Sequence, residues 1–550
     1  MTKKLLILLL SLIILLSCVS CNSEDVVIPD DESQEFEVIF FDTDNTISDN
    51  GKSYTNLIKD INKKNNNSDC YIVKCGDTEI LFDCGSQLTI KDESNFCKTL
   101  LPKIAKYCDD GILEYLIVTH GDHDHIEGLA VDGGLFDMIS DYKYWYANYG
   151  KRYFYDENKE NPIYQEDKAP IEKIENIIDF NSPWVIDILY NDKSQNSEYG
   201  KYIEKRNKVI KKCESHYCPA SYLFSQVSGS SVDSSCHNYY AVPSEYKDVL
   251  NDPRRNVNIK TITSTSENII INEILKKSIE NIDKVLPDLE SYGKLNEVYS
   301  DDNNGKRYTY DIDINGNTKL RILYNWYYDS YYKQSFNNDI FVSQCKNNVS
   351  VCCLIESEQS KLLLLGDLGG FGEDGLLNYY GCTDVLNSIS CFKASHHGST
   401  KNNENSNRLF QMITPSGGEL VVVVTGVAQT SRDYYDKNTS KKNQSHYDTL
   451  SSVAVIKKML FDNMTKGVDG TTKVYCTQIL ESNEKSTLFF NQPFYGDITV
   501  SFGKTSHYVH YSYKGKITTF IDNDNRKYSF KTENMDIKEL EWAKLIEIIE

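Results

Sequence analysis

The sequence predicts an α/β fold with a large insertion, because apolar runs of strand length alternate with helical segments on both sides of a less regular region. Eight such runs predict strands, and Phe96–Tyr107 and Leu450–Leu460 predict helices. Strands that alternate with helices favour an α/β core. The predicted strands are Glu37–Phe41, Tyr71–Lys74, Glu79–Phe82, Leu113–Val118, Lys319–Tyr324, Ser350–Ile355, Lys361–Leu365 and Leu420–Thr425.

The composition is that of a folded protein with a sizeable core. The chain has 550 residues, of which 40% are hydrophobic and 25% are charged. These values exclude disordered, collagen-like and polytopic membrane proteins. The formal net charge of −21 argues against broad electrostatic binding of nucleic acid. A local basic groove or a bound cation can still attract an anionic partner.

The N-terminus, residues 1–21, has the pattern of a secretory signal peptide. Two lysines precede the apolar run Leu5–Leu16, which is too short to span a bilayer comfortably. Leu15–Cys18 resembles a bacterial lipobox, in which the cysteine becomes the lipidated first residue. Cys21 is a second candidate, and an ordinary cleaved signal peptide is the alternative. Residues 22–36 predict an acidic tether, so we expect an exported lipoprotein, membrane-anchored on the cell surface or in the periplasm.

Two parts of the chain depart from the α/β pattern. The region 142–314 is rich in Tyr, Asn and Lys with weak periodicity, and it predicts an insertion or lid outside the core. The stretch 473–520 alternates as β structure does, and Trp542–Ile549 predicts a closing helix with one apolar face. We therefore predict one domain over 37–505 that contains the insertion, followed by a C-terminal β and helical tail over 506–550.

Histidines concentrate where predicted strands end. Three of the ten histidines lie within His120–His125, directly after the fourth predicted strand. Imidazole and carboxylate groups on a tight loop can converge on one point, which is what a divalent metal with N and O ligands requires. Ser395–Ser399 holds two more histidines after the apolar Cys391–Lys393, and Asp367 follows another predicted strand. Together these three elements predict one metal site.

The same motifs resemble those of a known family. His120–His125 (HGDHDH) resembles the metal-binding signature of the metallo-β-lactamase superfamily, and its H-x-D-x-D-H form is similar to that of the hydrolase domain of ComEC-type competence proteins. Leu364–Asp367 (LLGD) resembles the family's bridging-aspartate segment, and Lys393–Ser399 (KASHHGS) resembles its H-H-G-S motif. The resemblance covers 37–141 and 315–505. It implies a four-layer αββα sandwich of two mixed sheets, with a dinuclear metal site at one edge.

The resemblance also implies residue roles around two divalent metal ions, for which Zn²⁺ is expected and Mn²⁺ is the alternative. His397 is implied to lie beside the metals as a substrate contact or proton donor, although the choice between His396 and His397 as ligand stays open. His446 is implied as a late active-site histidine, with a plain surface position as the alternative. With Asp124, these two complete the implied catalytic set. The implied ligands are His120 and Asp122 for the first metal, Asp124, His125 and His396 for the second, and Asp367 between them.

Such a site predicts an exported metal-dependent hydrolase. Two divalent ions can activate water and stabilise the charge of a transition state, and their charge favours an anionic substrate. We expect a phosphodiesterase or other phosphoester hydrolase, with nucleic acid among the candidate substrates and the lipid anchor as the one membrane contact. The alternatives are a hydrolase of a cell-envelope or small-molecule ester or lactam, and a non-catalytic surface binding lipoprotein.

Overall fold

The fold is taken from a computed structural model of the chain. The predicted signal peptide, most of the tether, the predicted helix Leu450–Leu460 and His446 lie outside the described residues. The described residues are 35–41, 43, 68–85, 100–151, 166–180, 198–220, 223–224, 292–301, 305–325, 347–398, 404–413, 420–428, 472–479, 494–503, 507–515, 519–521, 527–529 and 547–549.

All eight predicted strands are confirmed, with ends that move by up to three residues, and further strands join them. The strands of the described residues are β1 (Phe36–Phe40), β2 (Tyr71–Cys75), β3 (Thr78–Phe82), β4 (Ile112–Val118), β5 (Lys173–Asp179), β6 (His216–Pro219), β7 (Lys294–Asp301), β8 (Gly305–Asp313), β9 (Lys319–Leu323), β10 (Cys353–Glu356), β11 (Lys361–Leu364), β12 (Cys391–Lys393), β13 (Leu420–Ala428), β14 (Thr472–Ile479), β15 (Phe494–Phe502), β16 (His507–Gly515), β17 (Thr519–Ile521), β18 (Lys527–Ser529) and β19 (Glu547–Ile549).

The helices lie between the strands in chain order, and the first of them falls within the predicted helix Phe96–Tyr107. Within the described ranges, no helix combines the length and the apolar character needed to span a membrane. The helices are α1 (Leu101–Ala105), α2 (His123–Ala130), α3 (Leu135–Ser140), α4 (Tyr142–Trp145, continued by a π-helical turn at Tyr146–Gly150), α5 (Glu198–Cys213), α6 (Gly370–Tyr380) and α7 (Asn407–Ile413).

Strands β1 to β15 pair side by side in the order β6-β5-β4-β3-β2-β1-β15-β14-β13-β12-β11-β10-β9-β8-β7, and β16 pairs with β15. The sheet has two parallel groups, β3 to β6 and β11 to β14. Parallel strands are covered on both faces, which favours long apolar runs in their sequences. Val421–Val424 in β13 illustrates this, because all four side chains are buried.

The two parallel groups are far apart in strand order but meet in space. The backbone N–H of Val351, just before β10, donates to the carbonyl of Thr119, just after β4, at 2.8 Å. Thr425 in β13 donates its hydroxyl to Asp69, just before β2. The sheet therefore folds over on itself. Helices α2, α3 and α5 accompany one half, and α6 and α7 accompany the other. This mixed α+β arrangement is the predicted αββα sandwich.

The region 142–314 differs from the prediction of an insertion outside the core. It supplies β5 to β8 to the sheet, and Ile174, Ile177 and Ile178 of β5 are completely buried. Helix α5 packs on the same half, where Tyr202 donates its hydroxyl to Asp179 at 2.9 Å. Apolar periodicity does not predict these elements, because polar residues stand between the isoleucines of β5 and α5 carries many charged residues.

The C-terminal tail is partly as predicted. The stretch 473–520 contains β14, β15 and β16 and the start of β17, which confirms its β alternation. The predicted closing helix is wrong at its end, because Glu547–Ile549 is strand β19 and pairs antiparallel with β18. Residues 542–546 lie outside the described residues. The two consecutive isoleucines of β19 are β-branched, and such residues favour strands over helices.

Candidate metal centre

The first histidine segment follows β4 and continues into α2. His120 and Asp122 lie in the loop, with Asp122 at the residue that precedes the helix, and Asp124 and His125 lie in the first helical turn. The main chain of this segment is bonded to residues just before β2 and just after β3. The backbone N–H groups of Asp69 and Cys84 donate to the carbonyls of Asp124 and His125 at 3.0 and 2.8 Å. These bonds fix the position of both side chains.

A glycine makes that close approach possible. Gly85 follows β3, and a Cβ atom at this position would lie 1.7 Å from the carbonyl oxygen of Asp124. The N–H of Gly85 also donates to the carbonyl of Asp69 at 2.8 Å. Any larger residue would therefore push α2 away from β3, and the ligand-type side chains of Asp124 and His125 would move with it.

The second half of the centre comes from the carboxyl ends of β11 and β12. Asp367 lies three residues beyond β11, after Gly366, which has φ +57° and packs against Thr119. His396 and His397 follow β12 in the short turn Ser395–Gly398, and both have positive φ, 49° and 50°. This left-handed conformation costs a non-glycine residue roughly 1–2 kcal/mol. The turn is held by Asn405, whose side chain accepts from the N–H of Ser395 and donates to its carbonyl.

The strand ends bring four candidate ligands together. The ligand-type atoms of Asp124, His125, Asp367 and His397 all lie within 4.8 Å of one another. Nε2 of His397 is 3.3 Å from Oδ2 of both Asp124 and Asp367. Nε2 of His125 is also 3.3 Å from Oδ2 of Asp367. Asp367 is therefore the carboxylate that all the imidazoles of this group share.

His120 and Asp122 lie at one side of this group. Nε2 of His120 is 3.9 Å from Oδ2 of Asp122 and 4.0 Å from Oδ2 of Asp367. The rings of His120 and His125 have centroids 4.0 Å apart. Both parts of the centre therefore meet at Asp367, which is the position that the sequence predicts for a bridging carboxylate.

The charges of the centre differ between its histidines. Burial and the nearby His125 lower the pKa of His120 to about 4, so its imidazole is neutral at pH 7. Burial opposes charge on His125 and His397 as well, but Asp367 and other carboxylates outweigh it and raise both pKa values well above the usual range. Burial would raise the pKa of Asp367, yet these two histidines hold it well below its usual range.

Two further carboxylates orient the imidazoles from behind. Asp83 lies 2.8 Å from Nδ1 of His125 and accepts from the N–H and the hydroxyl of Thr119 at 2.7 and 2.6 Å. Asp69 lies 3.3 Å from Nδ1 of His397. Histidines that bind metals usually present the other ring nitrogen to a carboxylate in this manner. Each of these two histidines therefore directs Nε2 into the centre.

The structure brings together all of the predicted ligands except His396. The side chain of His396 points instead to Glu404, 3.3 Å from Nδ1, and to Asn347, 3.2 Å from Nε2. His397 occupies the place expected for His396. The predicted contribution of His446 lies outside the described residues. The sequence motifs predicted no role for Asp69, Glu404 or Lys393. Asp83 had a local signal, because the motif Asp83–Gly85 directly follows a predicted strand.

The residues of the centre fit a divalent metal ion. Nε2 of His120, His125 and His397 and Oδ1 of Asp367 are buried and have no hydrogen-bond partner within the part of the chain that the structure describes. Buried polar atoms without partners are rare in folded proteins, and a bound cation would satisfy these. Imidazole nitrogens mixed with carboxylate oxygens are a donor set for Zn²⁺, and the carboxylates also suit Mn²⁺.

Comparison with known proteins adds little to this description. No family model matches the chain, and no curated protein matches it. Solved structures that it resembles include the metallo-β-lactamase fold protein YhfI from Bacillus subtilis, at 10% sequence identity and a TM-score of 0.29. The similarity covers 81% of this chain and 96% of that chain. At this TM-score no residue role can be transferred, so the centre rests on the contacts of this chain alone.

Proposed function

We propose that this chain is a metal-dependent hydrolase with a dinuclear centre. The observation that supports this best is the convergence of Asp124, His125, Asp367 and His397 from separate strand ends, with buried ring nitrogens that have no hydrogen-bond partner among the described residues. These four residues would hold one metal ion. His120 and Asp122, with the shared Asp367, would hold the other. His397 thus replaces His396 in the predicted ligand set.

The reaction that we propose is hydrolysis of a phosphodiester. Bound divalent ions supply Lewis acidity, which lowers the pKa of water and stabilises negative charge on the substrate. The protein's own residues would hold the ions and limit access to them, because His120, His125 and Asp367 are buried while Asp124 is partly exposed. A substrate therefore reaches the centre from the side of Asp124.

Two more imidazoles are placed to contact a substrate at this rim. His123 is 41% exposed in the first turn of α2, with Nε2 3.3 Å from Glu127, and His396 is 22% exposed beside Glu404. Each imidazole is oriented by a carboxylate. An anionic substrate would gain a hydrogen-bond donor from either residue, which is why we favour a phosphoester over a neutral ester or lactam.

The test combines metal content with turnover on the purified full-length chain. We expect about two equivalents of divalent metal per chain by elemental analysis, and hydrolysis of bis-p-nitrophenyl phosphate that stops with chelator and returns with Zn²⁺ or Mn²⁺. Asp124→Ala should lower turnover more than about 100-fold. Asp109→Ala is the matched control, because the side chain of Asp109 is 84% exposed and its ion pair with Lys74 is long, at 3.9 Å.

The outcomes separate the competing functions. A folded protein that binds no metal and hydrolyses no ester would contradict the proposal. Metal binding without turnover would favour a binding lipoprotein. Faster hydrolysis of a chromogenic lactam or of a phosphomonoester would replace the phosphodiester with that substrate class. A salt-dependent affinity for single-stranded DNA would identify nucleic acid among the phosphodiesters.

We also propose that the chain is exported and anchored by a lipid on Cys18. The support is the sequence of the N-terminus, which lies outside the described residues. Metabolic labelling with a fatty acid in a bacterial host should label the wild-type protein and Cys21→Ala, but not Cys18→Ala. Label on Cys18→Ala that disappears in Cys21→Ala would assign the anchor to Cys21. An unlabelled wild type in the culture medium would show an ordinary cleaved signal peptide.

A further inference from the structure

A buried lysine lies directly behind the centre. Lys393 is the last residue of β12, and its side chain is completely buried. Its ammonium forms an ion pair with Oδ2 of Asp69, donates to the carbonyl of Gly366 at 3.3 Å, and lies 3.6 Å from Oδ1 of Asp367. Burial of an ammonium group is costly unless carboxylates neutralise it. The lysine therefore belongs to the charge arrangement of the centre.

Asp69 connects this lysine to the centre. The side chain of Asp69 is also completely buried, and its Oδ1 lies 3.3 Å from Nδ1 of His397. The hydroxyl of Thr425 donates to the same carboxylate oxygen. Asp69 is thus held on one side by Lys393 and presents its other oxygen to His397. The result is a chain of contacts from the ammonium through the carboxylate to the imidazole.

The position of Asp69 determines how His397 can act. A ring nitrogen that faces a carboxylate carries the hydrogen, which leaves the other nitrogen available to a metal. For His397 the nitrogen that faces Asp69 is Nδ1. Nε2 points the other way, to Asp124 and Asp367 at 3.3 Å from each, which is the side on which a metal ion would bind. A shift of Asp69 would release the ring from this orientation.

In the described part of the chain, no lysine or arginine lies within ion-pair distance of Asp83, the equivalent carboxylate behind His125. Asp83 accepts two hydrogen bonds from Thr119, which lies next to it after β4. Among the described residues, Asp69 has one uncharged side-chain partner, the hydroxyl of Thr425, in addition to its charged partners. The carboxylate of Asp69 also lies 4.0 Å from Nδ1 of His125, so this second imidazole competes with His397 for it. A cation is therefore needed to hold Asp69 on His397.

We propose that Lys393 is a positioning residue of the metal centre. Its ammonium holds the carboxylate of Asp69 against Nδ1 of His397, at 3.3 Å, and thereby keeps Nε2 of His397 directed into the centre. The inference rests on the proposed function, because it assumes that the centre binds a divalent ion. It does not assume that the chain hydrolyses any particular substrate.

The experiment measures metal affinity, with no substrate present. Zn²⁺ binding to the full-length chain is followed by competition with a chromophoric chelator, and the coordination is followed by the visible spectrum of bound Co²⁺. We expect Lys393→Met and Asp69→Asn each to weaken Zn²⁺ binding by about 10–100-fold and to change the Co²⁺ spectrum. The double variant should lose no more Zn²⁺ affinity than the more damaging of the two single variants, because both residues act through one chain of contacts.

Lys103→Met is the matched control. Nζ of Lys103 lies 2.7 Å from Oδ1 of Asp497, a residue that is distant in sequence, and the side chain of Lys103 is 30% exposed. The same substitution there breaks a surface ion pair, so it should leave Zn²⁺ affinity and the Co²⁺ spectrum unchanged. A variant that only destabilised the protein would lower the melting temperature of the metal-free chain without altering the Co²⁺ spectrum.

Three results would overturn the inference. The first is Zn²⁺ affinity in Lys393→Met within about twofold of wild type. The second is weakened Zn²⁺ binding in Lys393→Met together with wild-type Zn²⁺ affinity in Asp69→Asn, because the lysine would then not act through Asp69. The third applies if circular dichroism shows that Lys393→Met does not fold. Asp69→Asn alone then decides, and wild-type Zn²⁺ affinity in that variant would overturn the inference. A wild-type chain that binds no metal fails at the earlier step and refutes the proposed function itself.

Discussion

The two histidine segments reach the same point from different backbone conformations. His120–His125 enters through a loop and a helical turn, and none of its residues has positive φ. Ser395–Gly398 reaches it through a left-handed turn at both histidines. In the first segment the helix determines which side chains point inward, so spacing predicts the ligands. In the second, both histidines have the left-handed conformation, and spacing alone cannot show which of the two adjacent side chains points inward.

The strongest test of this difference compares the two adjacent histidines. His397→Ala should weaken metal binding and turnover by more than about 100-fold, because it removes a side chain that contacts Asp124 and Asp367. His396→Ala should leave metal affinity within about threefold, because that imidazole contacts Glu404 and Asn347 instead. Zn²⁺ competition titration and hydrolysis of bis-p-nitrophenyl phosphate measure both effects.

Each variant serves as the control for the other, since the same side chain is removed one residue away. The opposite ranking would mean that the turn presents His396 to the metal, as the sequence motif indicates. Metal should also raise the melting temperature of wild type and of His396→Ala. A ligand at 100 times its Kd stabilises the folded state by about 2.7 kcal/mol. That gain should be largely missing in His397→Ala.

The second prediction concerns how the first segment is held. Gly85→Ala should destabilise the protein by about 3 kcal/mol and lower the metal content, because its methyl group would overlap the carbonyl of Asp124. Gly316→Ala is the control. Gly316 has φ +82°, and among the described residues nothing beyond its chain neighbours lies within 4 Å of the place that a methyl group would take, so the expected cost is about 1–2 kcal/mol from the backbone conformation alone. Equal unfolding free energies for the two variants would show that the close approach is unimportant.

The fold was predictable where burial leaves a clear pattern. β11 and β13 are continuous apolar runs, because parallel strands are covered on both faces. β5 was missed, since its sequence, KIENIID, places polar residues among the isoleucines, and Asn176 donates to the carbonyl of Glu114 in the neighbouring strand. That hydrogen bond satisfies a polar side chain at a position that sequence reading assigns to a surface.

The centre was predictable to the extent that its ligands occur in motifs. His120–His125 and Asp367 were identified because imidazoles and carboxylates follow apolar strands. Asp69 and Lys393 were not, because they lie more than 300 residues apart in sequence and acquire their role only when the two sheet halves meet. A lysine at the end of an apolar strand has no local signal that separates a buried ion pair from an exposed strand end.

The third prediction tests the support of the left-handed turn. Asn405→Ala should cost about 2 kcal/mol, because the N–H and the carbonyl of Ser395 would lose their partner in a buried place. Asn148→Ala is the control, since the amide of Asn148 donates to the carbonyl of Tyr144 at an exposed site, where substitutions change stability by about 0.5 kcal/mol or less. Urea denaturation of the metal-free protein measures both. A cost at Asn405 no larger than that at Asn148 would contradict a turn that depends on this side chain.

The smallest effect is expected at the carboxylate behind His396. Glu404 is 1% exposed and lies 3.3 Å from Nδ1 of that ring, so it orients an imidazole that we place at the substrate rim and away from the metal. Glu404→Gln keeps the shape and removes the charge. It should lower kcat/KM by at most about tenfold, or about 1.4 kcal/mol in the activation barrier, and leave Zn²⁺ affinity unchanged. Asp69→Asn makes the equivalent change behind His397 and should weaken Zn²⁺ binding instead. If Glu404→Gln also released metal, the two histidines would share one role, and the contrast between the segments would be lost.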